Sequence, residues 1–240
     1  MSYTMRQIVS LPYQLPLRIT SRVSPNTNLL TDFSGAMTRA AVRALAAAGH
    51  DVEVSDLYHI GFNPVSDRRN FVTSANPDYY RQQAEEAYAA AHDGFAEDVQ
   101  AEMDKLFRCD TLILQFPLWW FGMPAILKGW VDRVFASGGR VYGGGKWYDH
   151  GVFAGKRAMC SITIGGLPPM YSEHGLNGPI SSLLFPINHG ILYFTGFTVI
   201  QPFLVHAPAR ISTRNARRSS NAIAGGSWSS PRPPPSPIPH

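Results

Sequence analysis

No apolar run in this 240-residue chain reaches the roughly 18 residues that a membrane-spanning helix needs. The best stretch, Ile191 to Val205, is broken by Thr195, Gly196, Thr198, Gln201 and Pro202. A secretory leader is equally poorly served, because Pro12, Pro16 and the polar residues between them interrupt the N-terminal apolar residues. The chain therefore reads as cytoplasmic, with no membrane insertion. Cysteine is scarce: Cys109 and Cys160 stand alone, without a C-x-x-C pair, and read as two buried free thiols. The eight histidines show no H-x-x-x-H pair or other ligand spacing, so no metal is expected. Acids are missing from both ends. Met1 to Thr31 carries three arginines and no carboxylate, and His174 to His240 carries five and none. The net charge of +4 thus comes from the arms, and Asp32 to Glu173 is acidic. Without basic residues interleaved with exposed aromatics, nucleic acid is not expected as a partner.

What is present is an alternation of helix-like and strand-like segments. "SGAMTRAAVRALAAAG" has apolar residues at helical spacing, with Ser34 as a plausible N-cap and Gly49 as a stop. "HDVEVSDL" suggests a short strand. "DYYRQQAEEAYAAAHDG" and "AEDVQAEMDKLFRCD" read as amphipathic helices, ended by Gly94 and Asp110. "TLILQF" and "RAMCSITI" are apolar runs of strand length, as expected of strands covered on both faces. Between and after them come the helical "PAILKGWVDRVF", the helical "SSLLFPINHGILYF" with a kink near Pro186, and a last strand, "FTVIQPF". This rhythm predicts an α/β protein of the flavodoxin-like, doubly wound kind, a parallel sheet with helices on both faces. It divides into an atypical arm (1–31), the flavodoxin-like unit (32–208) and a Pro/Ser/Arg-rich tail (209–240) expected to be disordered, with six prolines after Gly225.

Doubly wound folds bind ligands beyond the carboxyl ends of their strands, so the post-strand loops matter most. "PLWWFGMP" follows one strand and "GGLPPMYSEHGLNG" another, and "ASGGRVYGGGKWYDHG" follows Phe135. Flat aromatic faces, a Gly-Gly turn that admits close backbone approach, and Tyr142, Trp147 and Tyr148 on a glycine-rich arm together suit a large planar ligand such as a flavin. The residues alone leave a second reading open, in which Trp119, Trp120 and Phe121 only plug the strand ends.

"QFPLWWFGMPAILKGWVDRVF", "SITIGG", "MYS" with "GLNG" beyond it, and "FPINHGILYFTGF" resemble the NAD(P)H:quinone oxidoreductases of the DT-diaphorase type. The similarity runs from about Thr31 to Pro202 and takes in "VEVSDLY" and "FNPVSDRRNF". The resemblance implies a homodimer with the flavin, FAD or alternatively FMN, at the subunit interface. NAD(P)H would be the co-substrate and a quinone the acceptor, in a two-electron ping-pong exchange. It further implies that Pro117, Leu118, Trp119, Trp120 and Phe121 wrap the ring, and that Thr163, Ile164, Gly165 and Gly166 hold its polar edge. Trp120, Phe121, Tyr142 and Phe194 would line the substrate slot, Tyr142 reaching in from the partner subunit. Tyr171 matches the tyrosine whose hydroxyl meets charge developing on the reduced ring. Asn177 stands where the best-known members carry histidine. It donates a hydrogen bond but takes no full positive charge, and His174 nearby reads as a solvated loop residue. Phe33 and Ser34 keep the end of the family's phosphate loop. The preceding "QIVSLPYQLPLRITSRVSPNTNLL" departs from the pattern, and "LRITSRV" is the expected substitute for the central first strand. Two other functions on this fold are an FMN-dependent azo or nitro reductase and a regulatory subunit of a potassium-efflux transporter.

Overall fold

The computed structural model describes residues 5–10 and 33–208. In chain order the elements are β1 (Met5–Ser10), α1 (Phe33–Ala47), β2 (Asp51–Asp56), α2 (Gln82–His92), α3 (Glu97–Arg108), β3 (Thr111–Pro117), α4 (Ala125–Val134), β4 (Arg157–Ile164), α5 (Ile180–Ile187), β5 (Thr198–Val199) and β6 (Phe203–His206). All strand pairs are parallel, in the order β2-β1-β3-β4-β5, with β6 continuing along β4. The α/β flavodoxin-like reading holds.

The buried run of β3 follows from its position between β1 and β4 with helices on both sides. Because side chains alternate across a sheet, Leu112, Leu114 and Phe116 join the larger core with Trp130, Leu106 and Phe153. Ile113 joins a smaller one with Ala41, Leu45 and Met159, so α1 covers the opposite face. Gln115, also buried, spans to α1 through Nε2, which donates to the Ser34 carbonyl at 2.8 Å.

Several expectations are corrected. The central strand is Met5–Ser10, which pairs with both β2 and β3 and ends before Pro12, so no proline enters the ladder. "LRITSRV" lies outside the described residues, as do the rest of 11–32 and the tail from 209. Ser34 is not a cap. It sits in the first turn of α1, buried, and its carbonyl accepts from Thr38 at 3.1 Å. α2 starts at Gln82 rather than Asp78, because Asn76 Oδ1 accepts from the N–H groups of Asp78 and Tyr79 and holds them in a turn. Its end is Asp93, in the left-handed region, rather than Gly94. α3 stops at Arg108, with Cys109 as the capping residue instead of Asp110.

The last strand is split in two. Val199 faces Ala158 and Phe203 faces Ser161, four steps against three, so one residue is bulged out at Gln201-Pro202 where proline offers no N–H. Pro186 lies inside α5, where a kink is expected, and the helix passes into a wider π-helical segment, Asn188–Tyr193. Both cysteines are buried and neither is in a disulfide.

Candidate active site

Beyond the last paired residues Pro117 and Thr163, the Leu118 N–H still donates to the Thr163 carbonyl at 2.8 Å, so the strands β3 and β4 leave the sheet together. The chain then reverses in four residues. Trp119 and Gly122 exchange two backbone hydrogen bonds, at 3.1 and 2.9 Å, and the two residues between them, Trp120 (φ 47°) and Phe121 (φ 61°), are both left-handed. That is the primed turn normally built from Asn-Gly or Gly-Gly. Two bulky aromatic residues in this conformation cost about 1 to 2 kcal/mol each, and strain of this kind is retained where a site needs it. At Trp120, 97% exposed, packing does not offset the strain, whereas Phe121 is half-buried. The reading of these rings as a plug over the strand ends fails for Trp120. Leu118 does pack against the core.

The end of β4 forms the neighbouring wall. Ile164 is fully buried, backbone included, and its carbonyl accepts from the Ala207 N–H, so the residue presents no surface of its own. Space above Gly165 is open, with no atom within 4 Å of where a Cβ would stand. At Gly166 the same position lies 2.8 Å from the Tyr171 ring, so a side chain there would displace the tyrosine. The N–H groups of Gly165, Gly166 and Leu167 make no hydrogen bond among the described residues. Tyr171 ends a short 3-10 turn, Pro168–Tyr171, and the Asn177 N–H donates to the Met170 carbonyl at 2.9 Å, folding the "GLNG" segment back beside it. His174 is exposed, as expected of a solvated loop histidine.

Tyr142 and Phe194 meet elsewhere. Their ring centroids are 5.8 Å apart in a cleft of about 470 Å³ lined also by Gln82, Glu86, Asp132 and Ile191. None of Trp119, Trp120, Phe121, Gly165 or Tyr171 lines this cleft. The sequence reading missed Gln82, Glu86 and Asp132. Their sequence signals are i,i+4 pairings, Gln82 with Glu86, observed as a 2.8 Å hydrogen bond, and Asp132 with Lys128, observed as an ion pair. Glu86 also accepts from the Ser137 N–H at 2.8 Å, tying α2 to the start of the glycine-rich arm.

The arm itself is a tight hairpin in which Gly143 bridges Lys146 and Gly144 and Gly145 both have positive φ. Farther on it is sewn to the segment bearing Phe194. The Tyr148 N–H donates to the Phe194 carbonyl (2.8 Å) and Phe153 to Thr195 (3.0 Å), while Gly151 and Gly196 come into backbone contact that a methyl group on either would break. Tyr193 donates its hydroxyl to Asp149 Oδ1 at 2.9 Å, and that bond raises the phenol above its usual pKa.

An open parallel sheet in the order β2-β1-β3-β4-β5, with loops gathered at the carboxyl ends of adjacent strands, defines a flavodoxin-like protein. Residues 23–224 match the family described as a flavodoxin-like fold. The chain belongs to that family, within its NAD(P)H:quinone oxidoreductase group, and is an enzyme. It is 44% identical over 186 residues to a ribosyldihydronicotinamide dehydrogenase-like protein of Penicillium crustosum, covering 71% of this chain and 67% of that one. To the NAD(P)H dehydrogenase [quinone] 1 of Cavia porcellus it is 43% identical over 189 residues, covering 76% and 68%. Among solved structures, a candidate quinone reductase from Klebsiella pneumoniae superposes with a TM-score of 0.81 at 36% identity, covering 93% of this chain and 83% of that one. No helix among the described residues is long and apolar enough to cross a membrane.

Proposed function

We propose that this chain is a flavin-dependent NAD(P)H:quinone oxidoreductase that holds FAD and works as a cytoplasmic homodimer by ping-pong exchange. The observation that carries the reading is the exposed, strained pair Trp120 and Phe121 beside the open face of Gly165. The residues fit a flavin. The aromatic turn supplies a flat apolar wall, and the N–H groups of Gly165, Gly166 and Leu167, unpaired among the described residues, supply donors for the carbonyl-rich edge of the ring. The first turn of α1, with Phe33 and Ser34, is the helix start at which the phosphates would be met.

Held between the aromatic turn and the glycine loop, a flavin would supply two-electron chemistry between a nicotinamide and a quinone. The protein's part is geometric and electrostatic. Trp120 and Phe121 would hold a planar substrate against their faces and limit its orientation, as hydride transfer requires. Pro117, Leu118 and Trp119 carry the turn on a rigid strand end. Tyr171 places its hydroxyl beside the glycine loop, where it stabilises charge developing at the polar edge, and Asn177 adds a neutral donor. Tyr142 and Phe194 of a second copy close the slot, a reading supported by the aromatic turn's absence from the cleft that holds them in one chain.

The test is direct. Purified protein is expected to be yellow, to release FAD on denaturation, and to show parallel lines in double-reciprocal plots with NAD(P)H and a quinone. Folded protein that stays colourless after incubation with FAD and with FMN overturns the proposal.

A further inference from the structure

We propose that His206 is a positioning residue for the glycine loop, setting the direction of the N–H groups offered to the flavin edge; the proposal rests on the flavin reading above. His206 closes β6 and stands opposite Ile164, the residue before Gly165. Its Nδ1 lies 3.1 Å from the Gly166 carbonyl oxygen. A carbonyl oxygen only accepts, so Nδ1 carries a proton and donates it into this bond. The imidazole also lies against Tyr171, with centroids 5.7 Å apart and planes inclined by 53°. Tyr171 in turn fills the space over Gly166, its ring 2.8 Å and its hydroxyl oxygen 3.2 Å from where a Cβ would stand. His206, Gly166 and Tyr171 thus form a closed triangle in which each residue limits the other two.

The consequence follows from peptide planarity. In a trans peptide the carbonyl of Gly166 and the N–H of Leu167 point in opposite directions. Holding the carbonyl toward β6 turns the Leu167 N–H to the other side of the loop, where it has no partner among the described residues. A second feature fixes the histidine. Ala207, the next residue, is buried at a φ of 46°, and its N–H donates to the Ile164 carbonyl at 2.6 Å. Alanine in the left-handed region is strained, and the fold keeps that strain right beside the imidazole.

The experiment compares His206→Leu, which removes the donor, with His206→Asn, whose amide nitrogen reaches the position of Nδ1. In flavin-free protein, amide exchange over residues 166–171 is expected to quicken in the leucine variant and to return to the wild-type rate in the asparagine variant. Titration of flavin-free protein with FAD, followed by fluorescence quenching, is expected to show about 5-fold weaker binding for leucine and at most about 2-fold for asparagine. Equal flavin affinity in wild type and His206→Leu, or an asparagine variant as impaired as the leucine one, overturns the positioning role while leaving the flavin reading intact. Wild-type protein that refuses FAD and FMN overturns both, so the two failures are told apart.

Discussion

Replacing Trp120 by asparagine should stabilise the flavin-free protein and weaken its hold on flavin at the same time. The side chain is 97% exposed, so its removal forfeits almost no burial. The backbone at Trp120 has a φ of 47°, where a bulky residue is strained by about 1 kcal/mol or more and asparagine much less. The turn then begins with the residue type its geometry favours. A net gain of about 1 kcal/mol raises Tm by roughly 2 to 4 °C in a chain of this size. Loss of an aromatic stacking partner worth about 0.5 to 1.5 kcal/mol weakens flavin binding by roughly 2- to 12-fold. Thermal melts with and without excess FAD read both effects, since ligand stabilisation grows with the ratio of free flavin to Kd. A flavin-free Tm that falls by more than about 2 °C shows that the ring packs against the protein after all. An unchanged flavin affinity removes Trp120 from the cofactor wall.

Tyr171→Phe should slow flavin reduction in stopped-flow experiments by no more than about 10²- to 10⁴-fold, the range of a general acid or base, with flavin content preserved. An unchanged rate removes the hydroxyl from the mechanism. Mixing inactive Trp120→Ala and Tyr142→Ala subunits under exchange conditions should restore about a quarter of wild-type activity, since each hybrid dimer regains one complete site. No recovery, despite proven hybrid formation, excludes a shared slot. Asp67 is held at about 2, chiefly by its side-chain hydrogen bond to Arg69, and the Ala75 N–H, donated at 2.7 Å, lowers Glu85. Depressed carboxylates stabilise the fold above their unfolded values and lose that contribution as pH falls through the folded ones. Urea midpoints should therefore drop between about pH 4 and pH 2, less so in Glu85→Gln than in wild type. Cys160, pushed up to about 12 by burial, should resist maleimide in native protein at pH 8 and react once unfolded.

The parallel sheet was legible because buried strands such as Thr111–Pro117 and Arg157–Ile164 read as unbroken apolar runs. Length and composition separated these runs from the helices. β1 was not legible: six residues with Arg6 and Gln7 give little hydrophobic pattern, and the prolines from Pro12 onward drew attention away from a strand that ends just before them. At the site, the motif pointed to Trp120 and Phe121, but no local pattern shows that both adopt positive φ, which depends on how β3 and β4 end together. Gln82, Glu86, Asp132 and His206 escaped for a similar reason. Each is an ordinary residue in its own segment and acquires a role only when distant segments meet, as α2 and α4 do in the Tyr142 cleft and β6 does beside the glycine loop.

The backbone seam between Gly151 and Gly196 bears on how a substrate could enter. Because the Tyr148 amide and the Phe194 carbonyl are bonded across it, the stretch bearing Phe194 and the end of the glycine-rich arm are braced together as one jamb. In the dimer proposed above, passage of a bulky quinone would then depend on yielding at the other subunit's Trp119–Gly122 reversal, whose outermost ring touches almost nothing in its own chain. Widening the acceptor range by engineering should accordingly begin at that hinge.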